Sequence, residues 1–321
     1  MMYLEVAAGF LLLLGGAEFL VRGAVGLSRR LGISQLVIGM TVVAFGTSAP
    51  ELVVSLNAAL SGAGAMAIGN VIGSNVANVL LIMGATGLAL SGGDRPRALK
   101  RDSVVLVFGT LLFVVAAWQQ RIAMFSGFAL LIVYCVFIIM SYWRDTHGPR
   151  NGDAEDVEQP IEPHAGWRDW LALIAGIAGV LVGSELLVGG GVSVARAFGV
   201  SEEVIGLTLI AIGTSLPELA ASVMAAIRGH SGVALGNVVG SNLFNLLAVV
   251  GVVGMVIPLE IPEQVLRFDL WILLLVTAIL LPYLSGMRDL RRLDGVLMIS
   301  SYILYLVVQA VGVSSILPPA G

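Results

Sequence analysis

Residues 16–84 and 183–251 of this chain can be laid on one another without a gap, and about half of the aligned positions are identical. Glu18 falls on Glu185, Glu51 on Glu218, Ser74 on Ser241 and Asn78 on Asn245, each pair 167 residues apart. A duplication on this scale means that one structural unit is used twice and that the two copies pack against each other. Composition says what the unit is made of. Of 321 residues, 58% are hydrophobic and 12% charged, and the mean hydropathy is +0.97. Soluble domains carry about a quarter charged residues, so the chain is expected to be an all-α polytopic membrane protein. Apolar runs near 4–27, 34–59, 64–90, 103–118, 123–142, 168–195, 202–227, 232–257, 269–284 and 294–312 suggest ten transmembrane helices. Each copy then holds five. Five is odd, so the second copy enters the bilayer from the opposite side, which makes an inverted repeat with its site near the midplane between the copies.

The expected division is a first five-helix repeat over 1–143, a cytoplasmic hydrophilic linker over 144–166 and a second five-helix repeat over 167–321. The linker, rich in Asp, Glu, Pro and Gly, reads as a solvated tether, although Asp153, Glu155, Asp156 and Glu158 are a possible cation-binding cluster. The basic residues support the ten-span count. Thirteen Lys and Arg, among them Arg29, Arg30, Lys100, Arg228 and Arg291, fall on one side of the bundle, against Arg121, Arg196 and Arg267 on the other. Such a bias marks the cytoplasmic face and puts both termini on the outer side. The N-terminal apolar stretch reads as the first span rather than a cleaved leader.

The net charge of −4 comes with no basic tract for nucleic acid. Cys135 sits in an apolar run and is expected to be a buried thiol. His147, His164 and His230 are expected in loops without metal-ligand spacing. No span offers the His or Cys of a nucleophile–base or metal–water constellation, which argues against an enzyme.

The chemistry lies in two motifs per copy: "GMTVVAFGTSAPE" (Gly39 to Glu51) with "GNVIGSNVAN" (Gly69 to Asn78), and "GLTLIAIGTSLPE" (Gly206 to Glu218) with "GNVVGSNLFN" (Gly236 to Asn245). Pro50 and Pro217 lack an N–H and collide with the preceding turn, which should free carbonyls near Gly46 or Ala44 and near Gly213 or Ala211. Thr47, Ser48, Thr214 and Ser215 add hydroxyls, and Glu51 and Glu218 add carboxylates. Such hard oxygen donors suit Ca²⁺ and Na⁺. Ser74 and Asn78, like Ser241 and Asn245, share one helix face as a second wall, while Gly69, Gly73, Gly236 and Gly240 allow close helix approach. Two carboxylates at one buried site carry −2, which one Ca²⁺ neutralises, and an unloaded site is costly. Glu18 and Glu185 form a second repeated acid pair. Glu18 has Arg22 four residues on, in reach of a salt bridge, whereas Glu185 has Gly189, so a structural or gating role is expected for the pair, with a place along the ion path as the alternative.

The paired "GTSAPE…GNVIGSNVAN" and "GTSLPE…GNVVGSNLFN" segments resemble the α-repeats of the calcium/cation antiporter superfamily, specifically its prokaryotic sodium/calcium exchangers. The resemblance implies ten helices in which spans two, three, seven and eight form an ion-binding core and long spans one and six slide against it. It implies a ligand set of Ala44 (carbonyl), Thr47, Ser48, Glu51, Ser74 and Asn78, with Ala211 (carbonyl), Thr214, Ser215, Glu218, Ser241 and Asn245. Glu51 and Glu218 would then share Ca²⁺. The implied activity is antiport of Na⁺ and Ca²⁺ across the plasma membrane of a prokaryote, with no permanent cofactor. Some exchangers carry Asp where this chain has Asn245, so only two acids remain here. The proton-coupled branch typically has a different acidic motif in place of GTSxPE, which favours sodium. Ca²⁺/H⁺ exchange is the alternative. A passive channel is less compatible with mirrored copies.

Overall fold

A computed structural model describes residues 2–90, 100–147, 166–199 and 211–313. These are almost wholly helical. The helices are α1 (Met2–Leu31), α2 (Gln35–Thr47), α3 (Ala49–Leu60), α4 (Gly64–Ala89), α5 (Lys100–Trp118), α6 (Met124–His147), α7 (Trp167–Ala197), the single turn α8 (Ala211–Gly213), α9 (Leu216–Ile227), α10 (Ser231–Val256), α11 (Val265–Leu284) and α12 (Arg292–Val311). Seven of them are long and apolar enough to cross a bilayer. The bent pair α2–α3 adds an eighth, and the apolar stretches Ser103–Trp118 and Leu216–Ile227 are shorter. The first part of the expected span at 202–227 lies outside the described residues, as does most of the linker. A two-residue antiparallel ladder, β1 (Arg121–Ile122) with β2 (Leu259–Glu260), ties the loop after α5 to the loop after α10.

Burial is distributed as lipid requires. In the most apolar windows of α10 and α4, 89% and 72% of residues are buried, against 22% in α6 and α12. The central helices are the ones rich in Gly, Ser and Asn, and the peripheral ones show Leu, Phe and Trp to the outside. In a bilayer, close packing and polar pairing hold helices together where apolar burial cannot. α2 lies on α10 in this way: a Cβ on Gly39 would be 2.7 Å from Val233 O, and one on Gly236 would be 3.0 Å from Met40 N. Gly240 is likewise pressed on Met40. Gly69 and Gly73 repeat the pattern, and the segment that the repeat would set against them, 203–207, lies outside the described residues.

α1 and α7 are the longest helices, at 30 and 31 residues. At 1.5 Å per residue each runs for about 45 Å, well beyond the roughly 30 Å of a hydrocarbon core, so both must tilt or protrude. They pack along one another. Glu18 is bonded by Arg22 at 2.5 Å, as the four-residue spacing suggests, and also by Arg228 from the end of α9 at 2.7 Å. Both arginines are more than half exposed, and exposed pairs contribute about 1 kcal/mol at most. Arg228→Gln should therefore lower the melting temperature in detergent by only a few degrees. A large drop would mean that Glu18 depends on this partner far more than its exposure implies. Glu185, the repeat mate of Glu18, is exposed.

Two expectations need correction. Cys135 is exposed on the outer side of α6 rather than buried. An apolar run gives no indication of which face meets lipid and which meets protein. His147 is the last residue of α6 rather than a loop residue, whereas His230 lies in the connection before α10, as expected, 3.1 Å from Gln35 Oε1. His164 lies outside the described residues.

Candidate functional site

The proline of each GTSxPE motif breaks its helix. α2 ends at Thr47, Ser48 leaves helical geometry at φ −90° and ψ 6°, and α3 restarts with Pro50 in its first turn at a 44° bend. In the second copy α8 ends at Gly213, and α9 restarts with Pro217 in its first turn and Ser215 at φ −90°, ψ 3°. Pro tolerates the first turn of a helix because no N–H is needed there. Glu51 and Glu218 thus each occupy the first turn of a new helix, where the positive end of the helix dipole favours a carboxylate. The facing wall is broken more gently. Wide π-helical turns run from Asn78 to Ile82 and from Phe244 to Val249, the second including Asn245. Such turns disturb the regular backbone ladder and are frequent at functional sites.

Ala44, Thr47, Ser48, Glu51, Ser74, Asn78, Ser215, Glu218, Ser241 and Asn245 are all at most 5% exposed. Thr214 is half-buried. Direct bonds join the copies at the centre. Ser48 Oγ donates to Glu218 Oε1 at 2.7 Å and lies 2.9 Å from Ser241 Oγ, and Asn78 Nδ2 donates to Asn242 Oδ1 at 3.0 Å. Glu51 and Glu218 are near enough for mutual charge repulsion. Several buried oxygens have no hydrogen-bond partner among the described residues: Glu51 Oε2, Glu218 Oε2, Asn78 Oδ1, Ser215 Oγ and Asn245 Oδ1. Asn245 Nδ2 is also unpartnered, a donor that a cation does not satisfy. Unpaired polar atoms are rare in protein interiors, and an acceptor-rich group of them around two carboxylates suits a hard cation. Among the described residues no three His, Cys, Asp or Glu gather at one point, so the donor set is carbonyl, hydroxyl, amide and two carboxylates.

The freed carbonyls are not the same in the two copies. Ser48 N still bonds Ala44 O at 2.9 Å, so that carbonyl keeps its usual partner. Ser215 N turns instead to Ile212 O at 3.0 Å, releasing Ala211 O from that bond. The carbonyl that Pro217 leaves without a donor, Gly213 O, is taken up by Ser184 Oγ from α7 at 2.9 Å. The repeat mate of Ser184 is Ala17, which has no hydroxyl for Gly46 O.

Three supporting asparagines are absent from the expected ligand set. Asn237 donates to Ser222 Oγ at 2.9 Å and to Glu218 O at 3.3 Å. Its repeat mate Asn70 donates to Ser55 Oγ at 3.0 Å and Glu51 O at 3.5 Å. The same two bonds are therefore made in both copies, each bracing the helix that carries a glutamate. Asn242 holds Asn78. The signal for the first two was in the sequence, since both sit in the repeated Gly-Asn pair.

The same layout recurs in known proteins. The family profile described as "Sodium/calcium exchanger protein" matches residues 2–143 and 168–311. The sodium/calcium exchanger MaX1 of Methanosarcina acetivorans is 32% identical, with 95% of this chain and 97% of that protein aligned. The inner membrane protein YrbG of Escherichia coli is 34% identical, with 93% of each covered. Among solved structures, the sodium-calcium exchanger NCX_Mj soaked with Na⁺ and Ca²⁺ superposes with a TM-score of 0.81 at 30% identity, covering 95% of this chain and 97% of that one. With both copies matched and the alignments running end to end, this chain belongs to the sodium/calcium exchanger protein family and is a multi-span membrane antiporter of Ca²⁺ and other cations, not an enzyme.

Proposed function

We propose that the protein exchanges Na⁺ for Ca²⁺ by alternating access, with both ions bound at the midplane between two inverted five-helix repeats. The observation that carries this reading is the set of buried, unpartnered oxygens around Glu51 and Glu218. In this reading the two glutamates share Ca²⁺. Thr47, Ser48, Ser74, Asn78 and the Ala44 carbonyl, with Thr214, Ser215, Ser241, Asn245 and the Ala211 carbonyl, complete the Ca²⁺ and Na⁺ sites. One Ca²⁺ cancels the −2 of the pair, and Na⁺ ions cancel it in turn. The empty pair is desolvated and self-repelling, so the switch runs only when loaded. The Arg-rich ends lie in the cytoplasm and both termini outside, with the linker near 144–166 joining the repeats on the cytoplasmic side. The similarity to YrbG supports an inner-membrane location.

A second reading, Ca²⁺/H⁺ exchange, draws on the same carboxylates, because an unpartnered carboxylate oxygen also accepts a proton. Proteoliposomes separate the two. Vesicles loaded with Na⁺ and diluted into Na⁺-free medium should take up labelled Ca²⁺, and vesicles holding only a pH gradient should not. Uptake driven by the pH gradient alone would replace sodium with protons. Uptake with neither gradient would indicate a leak.

A further inference from the structure

We infer that Asn237 and Asn70 are positioning residues that grip the threonine hydroxyl of the opposite repeat by turns, each closing the ion path on its own side. Thr47 Oγ1 has one proton and three acceptors in reach. Val43 O at 3.1 Å and Ala44 O at 3.4 Å belong to its own helix, and Asn237 Oδ1 at 3.2 Å comes from the other repeat. With Nδ2 committed to Glu218 O and Ser222, the amide of Asn237 presents only Oδ1 to Thr47. A proton given to Oδ1 leaves the threonine lone pairs free for a cation.

The mirror contact is open. Asn70 makes the same two braces, but among the described residues no bond joins it to Thr214, which is half-buried where Thr47 is fully buried. The neighbouring serines follow the same split. Ser48 is bonded across the repeats and Ser215 Oγ is unpartnered. One sequence pattern thus takes a closed form at Thr47–Asn237 and an open form at Thr214–Asn70. In a duplicated transporter, exchanging those forms gives the opposite access state.

The inference rests on the alternating-access reading, so wild-type exchange is measured first in the same vesicles. If the wild type fails to exchange, that reading fails. The inference itself is tested by double-mutant cycles on the ion half-saturation constant: T47A, N237A and the double variant, then T214A, N70A and the double variant, with ions titrated at each vesicle face. One hydrogen bond corresponds to about a threefold to tenfold change. N237A should raise the constant by that factor more when Thr47 is present than in the T47A background, where only the braces to Ser222 and Glu218 O are lost. The effect should appear with ions at the Arg-rich face. N70A should behave the same way with Thr214, at the opposite face. Additive effects in both cycles, or both pairs acting at one face, would overturn it. If N237A does not fold, the less buried Asn70 pair gives the same test on its own.

Discussion

Glu51→Gln and Glu218→Gln should each reduce Na⁺-driven Ca²⁺ uptake in proteoliposomes to background while leaving the protein folded. Each substitution removes half the charge that a divalent ion meets at a site where both carboxylates are 1% exposed. At 4 Å and an effective dielectric constant of 20, one pair of unit charges is worth about 4 kcal/mol, and every 1.4 kcal/mol is tenfold in binding. Even with most of that energy lost to screening and relaxation, Ca²⁺ affinity should fall by at least about a hundredfold. Stability should move the other way. The neutral amide removes the repulsion between the two acids and the cost of burying an unpaired charge. The melting temperature of the ion-free variants should therefore equal or exceed that of the wild type. Near-normal uptake in both variants would take the glutamates out of the site.

The reason these residues were legible is that their chemistry conflicts with their surroundings. A proline and an acid in an apolar run need a purpose, and a second copy 167 residues on excludes accident. The broken helices, the buried glutamates, the Glu18–Arg22 pair and the close approach at Gly236 all follow from local rules of that kind. The difference between the copies was not legible. GTSAPE and GTSLPE carry the same polar groups, and whether a threonine is gripped or free depends on how the whole bundle sits. Ser184 shows the remaining gap. It serves a carbonyl 29 residues away, and nothing in the helix around it announces that partner. Arg228 reaches Glu18 across 210 residues in the same unannounced way. The exposure of Cys135 had no signature either, since a helix that is apolar all round does not encode which face meets lipid.

Gly16→Leu should abolish recovery of folded protein, and Gly15→Leu, one residue away, should be tolerated. Gly9, Gly16 and Gly23 on α1 recur every seven residues, as do Gly176, Gly183 and Gly190 on α7. Seven residues make nearly two turns, so each set lines one face of its helix. The faces meet backbone to backbone. A Cβ on Gly9 would be 2.5 Å from Leu187 N, one on Gly16 would be 2.5 Å from Val180 N, and one on Gly183 would be 2.5 Å from Leu13 N. Gly176 and Gly23 sit closer still, against Leu20 and Leu173. A flexible side chain can yield to an added methyl group, but a helix backbone yields only if the two helices part. Overpacking costs roughly 1–3 kcal/mol even where side chains adjust, so a leucine here should exceed that range. Gly15 and Gly189 are the controls, since a Cβ at either meets nothing within 4 Å. Size-exclusion profiles and thermal unfolding in detergent read the outcome directly. Equal behaviour of Gly15→Leu and Gly16→Leu would mean that the two long helices do not touch through this face. Divergence would establish α1 and α7 as one backbone-locked element. In that case any motion of α1 against the ion-binding core must carry α7 with it, and with it Ser184, the donor that holds Gly213 O beside the open threonine.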